Sequence, residues 1–241
     1  MVERATDDLP LEEQHYHPYY PLGLVLPGYV PNDISVPTLI SSFAAASIYV
    51  FVLTAFVARR VRPSITNGEL LTAMWFMLCG CIHLFFEGFF AYNNADMPAR
   101  ASLFGQLWKE YALSDRRYLT RDPFVVCMET VTAFCWGPLS FVVGWYIIKR
   151  NPFRHPLQLV VSLGQLYGDV LYYATFFFED SVFGEVFCRP ERYYFWAYFV
   201  MLNGFWIGIP LKLCVQSVLE TGRAFAQLQA NKDQSEDRKT V

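Results

Sequence analysis

Charged side chains are scarce in this sequence: 17% of its 241 residues are Asp, Glu, Lys or Arg, against 54% hydrophobic and 18% aromatic. An ordinary globular domain carries about a quarter charged residues, so the composition argues for a chain built for lipid. The formal net charge is -3 and no basic run occurs, which leaves out the electrostatic field that nucleic-acid binding needs; no nucleic-acid partner is expected. No Walker or GxGxxG element is present to cradle a nucleotide. Of the six cysteines, Cys79, Cys81, Cys127, Cys135 and Cys214 fall inside apolar runs and only Cys188 lies in a connection, so neither a disulfide framework nor a CxxC metal site is expected. The start, Met1-Val2-Glu3-Arg4-Ala5-Thr6-Asp7-Asp8, lacks a basic region followed by an apolar core, so no cleavable signal peptide is expected. Internal repeats, low-complexity tracts and paired broken helices are also missing, which disfavours a channel or transporter.

What is present is length of apolar run. A helix crossing about 30 Å of hydrocarbon needs roughly 20 mostly apolar residues. Five stretches qualify: Val36–Ala58, Glu69–Tyr92, Phe124–Ile148, Pro156–Phe178 and Tyr193–Val218. Their continuity argues for helices, since barrel strands would alternate in polarity over about ten residues. The expected architecture is an all-α integral membrane protein, a five-transmembrane-helix bundle with an intramembrane pocket. It divides into an N-terminal segment 1–35, a membrane domain 36–218 and a polar tail 219–241 that frays after Thr221. Arg62-Pro63, Asn151-Pro152 and Arg189-Pro190 punctuate the connections, because proline disfavours helix continuation. The longest connection, Asn93–Pro123, contains Leu103–Tyr111, whose mixed character fits a short helix lying at the interface. Phe176-Phe177-Phe178 and Tyr193-Tyr194-Phe195-Trp196 read mostly as lipid-facing or belt aromatics. Arg59, Arg60 and Arg62 after the first span, and Lys149, Arg150 and Arg154 after the third, favour an outer N-terminus and a cytoplasmic C-terminus. Arg100, Lys109, Arg116, Arg117 and Arg121 in the long connection run against that orientation.

An ionisable group inside a spanning run costs at least a few kcal/mol, so each one is a candidate for function. His83 and Glu87 lie four residues apart in the second run, hence on one face, where they can share a proton. Glu129 and Thr132 lie in the third, Asp169 in the fourth, Asn203 and Trp206 in the fifth. Counting residues from the ends places Glu87 and Glu129 at one depth, roughly 7–8 Å below the same interface, with His83, Thr132 and Asn203 roughly 12–15 Å down. One polar pocket could hold them all. Taken alone, the His83–Glu87 pair could be a polar bridge between helices, Asp169 could equally be packing glue, and Trp206 is more often core than a ligand contact. With one histidine among the runs and no HExxH signature, no metal ion is expected. An apolar pocket with acid–base groups and an aromatic face implies a lipid-like substrate and proton transfer to and from carbon. A carbocation formed between the two steps would be stabilised by the Trp206 indole and carboxylate charge.

Several long motifs carry a resemblance. Gln106-Leu107-Trp108-Lys109-Glu110-Tyr111, Val126-Cys127-Met128-Glu129-Thr130, Trp136-Gly137-Pro138-Leu139-Ser140 and Gly164-Gln165-Leu166-Tyr167-Gly168-Asp169-Val170-Leu171-Tyr172 resemble the emopamil-binding protein family of sterol isomerases within the EXPERA superfamily. The likeness runs from His17-Pro18-Tyr19 and Val30-Pro31-Asn32-Asp33 to about Leu219, and departs at Phe176–Glu191 and at both termini. It implies a five-helix protein of the endoplasmic-reticulum membrane and its nuclear-envelope continuation, with a luminal N-terminus. It further implies a cofactor-free shift of a sterol double bond from C8=C9 to C7=C8, by protonation at C9 and deprotonation at C7. The residues it marks as the active site are His83, Glu87, Glu129, Thr132, Asn203 and Trp206; Trp108, Tyr111, Met128 and Asp169 join Trp206 as expected substrate contacts. Implied partners are a Δ8 sterol, membrane lipid and cationic amphiphilic drugs, and the family allows a homodimer. A non-catalytic sterol- or lipid-binding receptor or scaffold of the same superfamily is the alternative. The tail Arg238-Lys239-Thr240-Val241 carries no KDEL-type signal.

Overall fold

In the computed structural model, residues 16–238 are described; Met1–Asp8, where no signal peptide is expected, and the last three residues of the tail lie outside them. Among the described residues there is no β-strand. The first helix, α1 (Val36–Val61), opens with a proline in its first turn and stops at Arg62. Arg62 turns inward, donating to Ile147 O at 3.2 Å and to Glu69 at 2.5 Å. Helix α2 (Asn67–Cys81) starts in a reciprocal capping box between Thr66 and Glu69, which satisfies donors that a helix end leaves open. Glu69 also accepts from Arg154 at 2.7 Å. One carboxylate thus ties the end of the first rod to the start of the second and to the helix that begins at Arg154.

The second run continues from α2 through a π-helical stretch, Ile82–Glu87, into α3 (Gly88–Asn93). After α4 (Leu103–Tyr111), the third run repeats the device: α5 (Pro123–Val131), a π-helical stretch Thr132–Trp136, and α6 (Gly137–Lys149). Helix α7 (Arg154–Phe183) is followed by a third π-helical stretch, Tyr194–Leu202, that leads into α8 (Asn203–Asp237). Among the described residues, four continuous helices are long and apolar enough to cross a membrane: Val36–Val61, Asn67–Asn93, Pro123–Lys149 and Tyr194–Asp237. Helix α7 has 30 residues but a more polar composition, because Gln158, Ser162, Gln165 and Asp169 are turned inward along its buried face. Ile48, Tyr49, Val52, Leu53 and Phe56 of α1 are exposed, the outward apolar surface that a lipid-facing helix needs.

Helices α7 and α8 pack together, α2 packs on α6, and the first two π-helical stretches face each other. Close approach depends on Gly137, where an added Cβ would lie 3.0 Å from the backbone nitrogen of Leu84. Backbone cannot rotate away as a side chain can. Gly137→Ala is therefore expected to lower stability by about 1–3 kcal/mol, read as a depressed midpoint in detergent unfolding; an unchanged midpoint would contradict the contact.

Three sequence expectations are corrected. The fifth helix does not end at Val218: α8 runs on past Thr221 to Asp237, carried by good helix formers such as Arg223, Ala224, Ala226, Gln227 and Leu228. Helix α4 has the expected bounds but is packed inside, with Gln106, Trp108 and Lys109 all buried. The N-terminal segment covers it: Gln106 accepts from the backbone of Asp33 and Ile34 at 3.1 and 2.9 Å, and Lys109 Nζ donates to Val30 O at 2.5 Å. Burial lowers the Lys109 pKa, opposed by the nearby Asp33 charge. Third, Phe176 is core rather than belt, its ring 4.1 Å from that of Phe199, while Phe177 and Phe178 are exposed.

The basic residues of the long connection are largely matched locally. Arg100 pairs with Asp96 at 2.6 Å and Arg116 with Glu185 at 2.5 Å. Arg117 and Asp115 form a fully buried pair at 2.7 Å. Its remaining donors reach Thr175 Oγ1 and Tyr172 O at 2.9 and 3.3 Å, and its guanidinium stands 4.8 Å from the Tyr172 ring centre and 5.1 Å from that of Phe187. This knot joins the connection to α7.

Candidate active site

A cavity of about 210 Å³ opens between the rods, and His83, Glu87, Trp108, Tyr111, Met128, Glu129, Thr132, Asp169, Asn203 and Trp206 all line it. The sequence-selected residues are thus brought to one place, from five separate helical segments.

The first π-helical stretch delivers His83 and Glu87, and the end of α5, just ahead of the second stretch, delivers Glu129. His83 Nδ1 lies 2.8 and 2.9 Å from the two carboxylate oxygens of Glu87. His83 is 1% exposed, so this contact is shielded from competing water. Across from it, Glu129 at the end of α5 accepts from Tyr118 Oη at 2.6 Å. Burial, then the charge of Glu129, raises the Tyr118 pKa, so the phenol stays protonated and acts as donor. Thr132 Oγ1 donates back to Met128 O at 2.8 Å, which occupies its hydroxyl on its own helix.

An aromatic wall completes the site. Trp108 lies between Phe86 and Tyr118, with ring centres 4.4 and 4.6 Å away, and its indole N–H donates to Phe86 O at 3.0 Å. Trp206 stands 5.5 Å from Trp75 and 6.4 Å from His83, centre to centre. Asn203 donates to Tyr111 Oη at 2.8 Å and to Phe199 O at 2.7 Å. The carbonyls of Phe86 and Phe199 both belong to π-helical stretches, where widened hydrogen bonding leaves acceptors for side chains. The Asp169 Oδ2 and Trp206 Nε1 atoms are buried without a hydrogen-bond partner among the described residues.

Sequence reasoning missed Tyr118 and Gln165 as functional neighbours. Gln165 Nε2 lies 2.9 Å from His83 Nε2. A signal existed for Gln165, since it precedes Asp169 by four residues and so shares its face. None existed for Tyr118, a tyrosine in a connection rich in aromatics. No group of three or more His, Cys, Asp or Glu side chains among the described residues is placed to hold a metal ion.

Helices long and apolar enough to cross a membrane thus surround a largely apolar cavity that brings a histidine–carboxylate contact and a second carboxylate together. Residues 103–217 match the family model described as EXPERA (EXPanded EBP superfamily). The chain is 41% identical over 215 residues to the 3-beta-hydroxysteroid-Delta(8),Delta(7)-isomerase of Mus musculus, covering 89% of this chain and 90% of that protein. The proteins of the same name from Rattus norvegicus and Cavia porcellus are 41% and 39% identical, covering 86% and 84% of this chain and 86% and 87% of theirs. The chain belongs to this family of EXPERA proteins.

Proposed function

We propose that this protein is a sterol Δ8-Δ7 isomerase that moves the ring double bond from C8=C9 to C7=C8 within the membrane. The observation that carries the reading is the His83–Glu87 pair and Glu129 lining one largely apolar cavity. The reaction adds one proton at C9 and removes one at C7, so it needs two proton-handling sites and no electron transfer. The His83–Glu87 pair supplies one and Glu129, held by Tyr118, the other. Between the steps the sterol is a cation at C8, which the Trp206 ring face and the carboxylates stabilise. Apolar Phe and Met surfaces keep water away from that cation.

Helix α7 serves as the fifth span, its inward polar face explaining its lower apolarity, and the cavity then lies within the bilayer. The site is in the endoplasmic-reticulum membrane, with the N-terminus luminal; the local pairing of Arg100, Arg116 and Arg117 weakens the opposing charge signal. Cationic amphiphilic amines bind the same cavity, because a protonated amine resembles the transient cation.

The direct test is incubation of the purified, detergent-solubilised full chain with zymostenol in deuterated water without added cofactor. Loss of the Δ8 sterol with deuterium in the Δ7 product is expected. No conversion alongside retained amine binding would replace the enzyme by a lipid-binding receptor. The pair should also act as a unit: His83→Ala and Glu87→Ala should each cost about 10²–10⁴ in kcat, with the double variant little worse than either. Additive losses in activation free energy would argue against coupling.

A further inference from the structure

His83 has a second contact that the acid–base reading leaves unused. Gln165 Nε2 lies 2.9 Å from His83 Nε2, while Gln165 Oε1 is buried without a hydrogen-bond partner among the described residues. An amide N–H can only donate, so it requires a lone pair on His83 Nε2. The proton of the neutral ring then sits on Nδ1 and is donated to Glu87 at 2.8 Å. When the ring gains a proton, Nε2–H points at a donor and needs an acceptor instead. Half a turn of the terminal amide supplies it, presenting the free Oε1, and that torsion is soft.

We propose that Gln165 is a positioning residue that follows the protonation state of His83, donating to the neutral Nδ1–H tautomer and accepting from the imidazolium. The inference rests on the reading of His83–Glu87 as a proton-transfer pair. When the pair removes a proton from the sterol, the C–H electrons stay behind as the new double bond and the proton joins the pair. With Oε1 turned toward Nε2, the pair holds that proton as imidazolium and carboxylate, so negative charge remains beside the sterol. Returning the proton to solvent lets the amide turn back. The other titratable groups around the cavity are Glu129, Asp169, Tyr111, Tyr118 and Tyr172, and Cys79 lies beside Gln165. Among the described residues, only Gln165 is hydrogen-bonded to His83 Nε2.

The test uses the full chain with Gln165→Met, which keeps the volume without the amide, and Gln165→Glu, which can only accept when ionised. Gln165→Met is expected to lower kcat on a Δ8 sterol about tenfold, the equivalent of one hydrogen bond, with KM unchanged. Gln165→Glu should move the pH limb of kcat that vanishes in His83→Ala to higher pH. A glutamine that only packs would lower stability and leave that limb in place, which overturns the proposal. Nitrogen NMR of labelled histidine in the unmodified protein gives an answer even where variants fail to fold: a neutral His83 protonated on Nδ1 is expected, and one protonated on Nε2 overturns it. His83→Ala in parallel separates the two readings. Full activity there removes the proton-transfer pair itself, whereas an inactive His83→Ala beside an unaltered Gln165→Met removes only the role of Gln165.

Discussion

Replacing Glu129 by glutamine is expected to lower isomerisation by about a thousandfold, in the range a single general acid or base contributes. The glutamine keeps a carbonyl oxygen where Tyr118 Oη donates at 2.6 Å, so folding and the aromatic wall should survive. What it loses is the capacity to give or take a proton, and half of the two-site chemistry goes with it. Amine ligands should still bind, since the cavity walls and Glu87 remain. Sterol product analysis together with displacement of a labelled amine checks both halves. Turnover close to that of the unmodified protein would remove Glu129 from the mechanism.

The largest expected loss of stability lies away from the chemistry, at the Asp115–Arg117 pair. Both side chains are essentially unexposed, at 0% and 1%. Asp115→Ala would leave the Arg117 charge buried beside the Tyr172, Phe176 and Phe187 rings, which offset only part of the lost carboxylate. Removing one member of a buried pair costs about 3–5 kcal/mol, enough to shift a detergent unfolding midpoint strongly. Replacing both, as Asp115→Ala with Arg117→Met, should recover much of the loss, because no stranded charge remains. A double variant no more stable than Asp115→Ala alone would mean that Arg117 contributes chiefly through Thr175 and Tyr172.

The long helices were legible in the sequence because hydrocarbon tolerates no unsatisfied backbone, so a spanning segment must advertise itself as a continuous apolar run. Four-residue spacing likewise made the His83–Glu87 contact readable. Tyr118 was not, because it meets Glu129 through a turn in the long connection, and Gln165 meets His83 across 82 positions of chain. The inward setting of Lys109 was hidden for the same reason, since the strand of chain that covers it comes from residues near Val30. The π-helical stretches left no trace either: a one-residue change in hydrogen-bond span alters neither composition nor apolar length. The family resemblance pointed to residues that line the cavity, without saying what holds them.

Those wide turns carry a consequence for how such a centre can be lost. A π-helical turn holds one residue more than an α-turn needs, so deleting a single residue between Ile82 and Glu87 would yield a more regular helix. The halves of the rod on either side would keep their faces, because the widened turn already absorbs that residue. A deletion falling between His83 and Glu87 would instead change the four-residue spacing that brings the imidazole to its carboxylate, although every helix remained long enough to cross the bilayer. A chain so shortened should insert and fold as readily as this one and have no workshop inside it.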